Sequence, residues 1–130
     1  MDRSKAEDVM IKRVYTIQSD RKIALARLRM LRQGVGVLPV VESERKLVGI
    51  ITLRDTDFAR GYDLMVKDLM TTDVVTGTED LSVIEIAEMM IREGIERLPI
   101  LGKQGILVGL VTQTVIIKGL LDLLNANAHK

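Results

Sequence analysis

The chain of 130 residues contains no cysteine, one histidine and only 2% aromatic residues. Without cysteine there can be no disulfide, no zinc–thiolate site and no thiol nucleophile. The histidine, His129, stands in a polar tail, so metal sites and histidine-based catalysis lack their usual residue. Few aromatic side chains and a net charge of +1 leave neither stacking platforms nor a basic surface, so nucleic-acid binding is not expected.

Long hydrophobic runs are also missing. The most apolar stretch, residues 106–124, carries Gln113, Lys118 and Asp122, which a membrane span tolerates poorly. No basic and then apolar leader opens the given sequence, so we expect a cytoplasmic protein that does not associate with membranes. We also expect no metal site, no catalytic residue and no catalytic cofactor, because the sequence contains no nucleophile–base pair, metal-ligand cluster or Walker-type loop.

The sequence is dominated by an internal repeat with a spacing of 60 positions, as in 70 − 10 and 99 − 39. One register holds from the first matching segment to the last without a gap. The matching segments are Asp8-Val9-Met10 with Asp68-Leu69-Met70, Leu38-Pro39-Val40 with Leu98-Pro99-Ile100, and Leu47-Val48-Gly49-Ile50-Ile51-Thr52 with Leu107-Val108-Gly109-Leu110-Val111-Thr112.

Each copy reads as strand, helix, strand, strand and helix, which predicts an α/β (α+β-like) fold. In the first copy we expect a short strand over 14–17, a helix capped by Ser19 or Asp20 that ends at Gly34, strands over 37–42 and 46–51, and a helix from about Thr52. One copy could bury only a marginal core, so the two should pack about a pseudo-twofold axis. The expected boundaries are repeat one at 6–60, a linker at 61–66, repeat two at 67–124 and a polar, disordered tail at 125–130.

These motifs resemble the CBS domain, named for cystathionine beta-synthase, which occurs as a tandem pair. The shared features are Asp-hydrophobic-Met before the first strand, a hydrophobic-Pro-hydrophobic step, and Gly-hydrophobic-hydrophobic-Thr before the last helix; the resemblance covers about residues 6–124. It implies a regulatory module that binds an adenosyl compound such as AMP, ADP, ATP or S-adenosylmethionine and modulates a partner protein. It also implies a homodimer.

The family's ligand signature, Gly-hydrophobic-hydrophobic-Thr-x-x-Asp, is complete in the first copy, from Gly49 to Asp55. Thr52 lies where a strand turns into a helix, so its hydroxyl and the free N–H groups of the first turn suit a phosphate. The Asp55 carboxylate can accept hydrogen bonds from both ribose hydroxyls, and Arg54 adds positive charge. The same Thr-x-x-Asp spacing also fits a capping box that only satisfies the helix end.

The resemblance places the base in the cleft between the repeats, against residues from the second copy. The residues it implies there are Asp73, Val74, Ile95, Glu96 and Arg97. In this arrangement Arg97 would meet a phosphate, and Ile95 or Ile50 would flank the purine. Arg97 could equally be an ordinary solvated strand residue.

The second copy departs from the signature because Val115 follows Thr112 where an aspartate is expected. We therefore expect one competent site per chain, with Thr112 and Val115 marking a site that has lost its ribose acceptor. A second hypothesis for the whole chain is a pure dimerisation or interaction module with a vestigial site.

The first long helix is rich in arginine and its counterpart is rich in glutamate. Solvated helix faces explain this difference, but opposite charges could also orient a dimer so that copy one faces copy two of its mate. The apolar C-terminal helix could form an interface or pack on its own sheet.

Overall fold

The computed structural model describes residues 5–59 and 62–128. The chain forms two compact units. The first unit consists of residues 14–74 and 104–106, and the second unit contains the rest of the described chain. Each unit combines one repeat with a short helix from elsewhere in the sequence. A mixed fold of small sheets and helices, as expected, is confirmed.

The first unit is a helix packed on a two-stranded antiparallel hairpin. Helix α2 (Ile23–Gln33) precedes strands β1 (Val37–Glu42) and β2 (Lys46–Thr52), which pair from Val37↔Thr52 to Glu42↔Lys46. A 3-10 turn, Ser43–Arg45, joins the strands, and a second 3-10 helix, Asp55–Ala59, comes after β2.

The hairpin and α2 enclose the apolar core of the first unit. Helix α2 ends where Gly34 adopts the left-handed conformation (φ 66°) and donates its N–H to Met30 O. Both faces of β1 are buried, which explains its continuous apolar sequence. The buried side chains that form this core are Ile17, Ile23, Ala26, Met30, Leu38, Val40, Ile51, Ala59 and Val66.

The second unit repeats this plan with a three-stranded sheet. Strand β3 (Gly77–Thr78) runs parallel to β4 (Arg97–Leu101), which pairs antiparallel with β5 (Leu107–Thr112). Helices α4 (Val83–Glu93) and α5 (Gln113–Ala128) pack together, and a Cβ placed on Gly119 would lie 3.2 Å from Val83 Cγ1. The glycine therefore allows the close approach of the two helices.

Two short helices complete the units. Helix α1 (Ala6–Val9) lies in the second unit, where the Ala6 N–H donates to Leu81 O at 2.8 Å. Helix α3 (Val66–Leu69) occupies the same position in the first unit, where the Val66 N–H donates to Arg21 O at 2.8 Å. The Asp-hydrophobic-Met segment of each repeat therefore belongs to the compact unit built on the other repeat.

Several expected elements differ in the structure. The strand expected over 14–17 is reduced to a single bridge between Ile17 and Val40. Helix α2 begins at Ile23 rather than after Ser19 or Asp20, because the Ile23 N–H donates to the backbone carbonyl of Leu64 while the Ser19 hydroxyl donates to Glu42.

The segment after Thr52 and the C-terminal tail also differ from what was expected. The segment after Thr52 forms a 3-10 helix rather than an α-helix. The disordered tail is wrong for residues 125–128, because α5 continues to Ala128. Arg60 at the end of the expected first repeat, Gly61 in the expected linker, and His129 and Lys130 in the expected tail lie outside the described residues. Within the described ranges no helix has the length and apolarity needed to cross a membrane.

Candidate functional site

The candidate ligand signature lies at the end of β2, where Thr52 and Asp55 bond to each other. The Thr52 N–H donates to Asp55 Oδ2 at 2.8 Å, and the Asp55 N–H donates to Thr52 Oγ1 at 3.2 Å. The sequence alternative of a capping box is thus realised as a reciprocal pair of hydrogen bonds. These bonds fix the position of the carboxylate at the start of the 3-10 helix.

The pair still leaves acceptor capacity for a ligand. Thr52 and Asp55 are half-buried, and Arg54 between them is exposed. Oδ1 of Asp55 accepts no hydrogen bond from any residue in the described ranges. A carboxylate has two oxygens with two lone pairs each, so capping uses only a part of its capacity. The capping and ligand-binding roles are therefore compatible.

Gly49, the first residue of the signature, is required for packing within the first unit. A Cβ at this position would lie 2.8 Å from Met70 Sδ and 2.9 Å from the backbone oxygen of Thr71. Gly109 in the second unit has the same role, because a Cβ there would clash with the side chain of Met10. In each unit the glycine of one repeat's signature thus contacts the methionine of the other repeat's Asp-hydrophobic-Met motif.

This contact also brings Asp73 and Val74 towards β2. Ile50 and Thr71 exchange two backbone hydrogen bonds of 2.9 Å each. Asp73, which is exposed, and Val74, which is half-buried, come shortly after Thr71 in the chain. Six of the nine predicted site residues therefore belong to the first unit: Ile50, Thr52, Arg54, Asp55, Asp73 and Val74.

The three remaining predicted residues, Ile95, Glu96 and Arg97, belong to the second unit. The Glu96 backbone oxygen accepts a hydrogen bond of 3.1 Å from the N–H of Gln113. The Arg97 guanidinium lies 3.8 Å from the carboxylate of Glu96, a distance that makes a weak ion pair between partly exposed groups. Their participation in ligand binding remains a prediction from the family resemblance.

The turn at the end of β5 keeps the hydroxyl of the signature without its carboxylate. The Val115 N–H donates to Thr112 Oγ1 at 3.3 Å, as the Asp55 N–H does to Thr52. The Val115 side chain packs against the apolar core of the second unit. An apolar side chain offers no acceptor to a ribose, so the two turns share this backbone hydrogen bond and differ in chemistry.

A polar cluster beside α2 in the first unit was not predicted from the sequence. Arg27 Nη1 lies 2.8 Å from Thr56 Oγ1 and 2.8 Å from Asp57 Oδ1, at the edge of a cleft of about 260 Å³. The corresponding residues of the second copy are apolar (Ala87, Ile116 and Ile117), a difference visible in the sequence. Arg27 and Asp57 carry opposite charges, and the two hydrogen bonds of Arg27 link α2 to the 3-10 helix.

No group of three or more histidine, aspartate or glutamate side chains that could hold a metal ion occurs within residues 5–59 and 62–128.

Comparison with known proteins places this geometry in a family. The family model described as CBS domain matches residues 6–56 and 66–122. An inosine-5′-monophosphate dehydrogenase from Methanocaldococcus jannaschii is 41% identical over 114 residues, which make up 88% of this chain and 23% of that protein. The chain thus spans less than a quarter of the length of that dehydrogenase.

Two solved structures extend the comparison. A CBS domain pair in complex with 5′-methylthioadenosine and S-adenosyl-L-methionine superposes with a TM-score of 0.80 at 29% identity, over 88% of this chain and 94% of that one. The cytosolic domain of the Mg²⁺ channel MgtE in complex with ATP superposes with a TM-score of 0.79 at 25% identity, over 88% of this chain and 48% of that one.

The two repeats and their order agree with the family model, and the fold agrees with these two structures. The chain belongs to the CBS domain family and carries two CBS repeats.

Proposed function

We propose that the chain is a non-catalytic ligand-sensing module that binds an adenosyl compound at the Thr52–Asp55 turn. The observation that carries the proposal is the fixed Asp55 carboxylate, held by the Thr52 N–H at 2.8 Å with Oδ1 left to accept. A carboxylate in this state is prepared for a pair of hydroxyl donors such as those of a ribose.

The neighbouring groups supply the rest of an adenosyl site. The exposed Arg54 side chain offers a positive charge to a phosphate or a carboxylate of the ligand. Ile50 is half-buried on the same strand, two residues before Thr52, and offers an apolar contact for a purine. The remaining residues of the proposed site, which rest on the family resemblance, are Asp73, Val74, Ile95, Glu96 and Arg97.

The related structures support the choice of ligand class. One contains 5′-methylthioadenosine and S-adenosyl-L-methionine, and the other contains ATP. These compounds share an adenosyl group and differ in the substituent on the 5′ carbon of the ribose, which favours recognition through the base and the ribose. In our proposal Asp55 contacts the ribose of the shared adenosyl group, and Arg54 contacts the variable 5′ substituent.

We further propose one site per chain, a homodimeric state and a cytoplasmic location. The single site follows from Val115, whose side chain cannot replace the Asp55 carboxylate. Ligand binding would alter a partner protein by favouring one of two states of the module, which requires a difference in affinity between those states.

A second candidate is a pure interaction module. It is favoured by the closed capping pair, because Thr52 and Asp55 already satisfy each other. Such a module would bind partners without any adenosyl ligand.

A thermal-shift panel separates the two candidates. AMP, ADP, ATP, S-adenosylmethionine and 5′-methylthioadenosine are tested on the wild type, Asp55→Ala and Asp68→Ala. Asp68 caps α3 with the same 2.8 Å bond from a backbone N–H, that of Met65, so its replacement controls for the loss of a cap.

A ligand at 100 times its Kd stabilises its protein by about 2.7 kcal/mol. We expect at least one compound to raise the Tm of the wild type and of Asp68→Ala but not that of Asp55→Ala. No shift in the wild type, or an equal shift in all three proteins, would favour the interaction module.

A further inference from the structure

A polar groove of about 550 Å³ lies in the first unit, at the end of the β1–β2 hairpin that is remote from the Thr52–Asp55 turn. One wall is formed from the segment 16–21, and the other from the turn that joins the strands, Ser43–Arg45. Strand β1 has six residues and therefore spans about 16 Å between its two ends. The groove is thus separate from the proposed adenosyl site.

Arg45, in this turn, adopts a backbone conformation that favours glycine. Its φ is 61°, and Gly105 occupies the equivalent position of the second copy with a φ of 76°. A residue with a Cβ is strained in this left-handed region, whereas glycine is not. The second copy thus has the unstrained residue at this position, while the first copy has an arginine at a cost in stability.

The chain provides no ion pair that offsets this strain. Arg45 is exposed and makes no ion pair with any residue in the described ranges, although Glu42 and Glu44 are within three positions of it in the sequence. Strained residues of this kind cluster at ligand-binding sites, where the function of the side chain offsets the cost. The conformation of Arg45 therefore indicates a role in binding a group outside the chain.

Two further arginines distinguish this part of the first unit from the second copy. Arg21 Nε donates to Gln18 Oε1 at 3.0 Å, which holds the guanidinium at the groove wall. Arg29, half-buried on α2, donates to the backbone oxygen of Thr16 in the same wall. The second copy has Leu81, Met89 and Gly105 at the positions of Arg21, Arg29 and Arg45. The three guanidinium groups at or behind this groove therefore occur in the first copy alone.

The groove also carries three carboxylates, those of Asp20, Glu42 and Glu44. Glu42 accepts a hydrogen bond from the Ser19 hydroxyl. Within the described residues these carboxylates form no group that could hold a metal ion. A phosphate dianion would be repelled by all three, and a simple cation would leave the guanidinium groups without a partner. A ligand that carries both charges avoids both costs, because guanidinium groups bind a carboxylate through parallel N–H bonds and carboxylates accept from an ammonium group.

We propose that this groove binds a small zwitterion, a free α-amino acid, with its carboxylate on Arg45 and its ammonium group on the groove carboxylates. A volume of about 550 Å³ is sufficient for such a molecule and bridging water. The site lies entirely within the first unit. It goes beyond the proposed function, because it needs no adenosyl compound and uses none of the residues proposed to bind one.

The proposal is tested by NMR titration of the ¹⁵N-labelled full chain with each of the common L-amino acids, without any adenosyl compound. The proteins are the wild type, Arg45→Gly and Lys103→Ala; Lys103 is the exposed cation in the hairpin turn of the second copy and provides the matched control. We expect at least one amino acid to shift the amide signals of residues 16–21 and 43–45. Its Kd should rise at least tenfold in Arg45→Gly and stay unchanged in Lys103→Ala.

Two further measurements separate binding from folding. Arg45→Gly should raise the Tm by about 4 °C because it removes the strain, so a loss of binding in this variant cannot come from a loss of structure. The methyl ester of the amino acid that binds keeps the ammonium group and lacks the carboxylate, so its Kd should be at least tenfold higher.

A lower Tm for Arg45→Gly would show that the arginine supports the fold and would overturn the proposal. The same conclusion would follow if no amino acid shifted the groove signals, if the wild type and Arg45→Gly bound equally, if the ester bound as well as the acid, or if inorganic phosphate bound in place of amino acids. A failure of adenosyl binding at Asp55 alone would leave the proposal intact.

Discussion

The contact between Gly49 and the Met70–Thr71 segment makes the replacement Gly49→Ala a sharp test of the fold of the first unit. The added methyl group would meet Met70 Sδ at 2.8 Å and the Thr71 backbone oxygen at 2.9 Å. The thioether is the end of a flexible side chain and can move. The Thr71 oxygen cannot move freely, because it accepts a 2.9 Å hydrogen bond from the Ile50 N–H. The segment or the strand must therefore shift.

Overpacking of this kind costs about 1–3 kcal/mol in measured cases. For a chain of this length, 1 kcal/mol corresponds to about 4 °C in Tm, so we expect a decrease of about 4–12 °C. Urea unfolding of the wild type, Gly49→Ala, Met70→Ala and the double variant would measure the decrease in the free energy of unfolding. Removal of the thioether frees a part of the space, so the cost of Gly49→Ala should fall by about 1 kcal/mol in the Met70→Ala background.

An unfolding free energy within about 0.5 kcal/mol of the wild type for Gly49→Ala would refute this reasoning, because that is the range of a surface substitution without a structural role. Such a result would mean that Met70 and Thr71 do not lie this close to Gly49 in β2. It would also mean that packing does not explain the glycine at position 49 of the ligand signature. The close approach of a ligand would then be the remaining explanation.

Three further predictions concern stability. Thr56→Val should destabilise the first unit by about 1 kcal/mol in urea unfolding, because the buried hydroxyl donates to a backbone oxygen at 2.6 Å and accepts from Arg27 at 2.8 Å; an unchanged midpoint would contradict this. Ser82→Ala removes the side-chain cap of α4 and should cost about 1 kcal/mol by the same assay, whereas a gain in stability would show that the cap is not formed. The hydroxyl of Thr78 holds the pKa of Asp80 below its ordinary value near 3.8, so this group stabilises the fold above that pH and the contribution is lost as the pH falls below it. Thr78→Val should reduce this acid dependence of Tm, and an identical pH profile would be evidence against the bond.

The repeat and the hairpins could be predicted because their determinants are local. The strand expected over 37–42 is β1 as observed, and Gly34 ends α2 in the left-handed conformation. The start of α2 could not be predicted, because the Ile23 N–H finds its acceptor in Leu64, 41 positions further along the chain (64 − 23). A long-range backbone partner leaves no trace in the residues around a helix start.

The candidate site was only partly predictable. The Thr-x-x-Asp spacing indicated both a cap and a ligand site, and the structure contains the cap. The sequence identified the glycine of the signature but not its contact with Met70. Both repeats contain the glycine and the methionine, and the sequence does not show whether a glycine contacts the methionine of its own repeat or of the other one. The ribose-binding role that we propose for Asp55 depends on a molecule outside the chain, so a binding experiment tests it.

Calorimetric titration with the compound that gives the largest thermal shift, performed on the wild type and on Asp55→Ala, tests whether the Thr52–Asp55 turn binds an adenosyl compound. We predict one bound molecule per chain for the wild type and affinity at least tenfold weaker for Asp55→Ala, equivalent to about 1.4 kcal/mol. Two molecules per chain would contradict the single site, and equal affinities in the two proteins would contradict the role of Asp55.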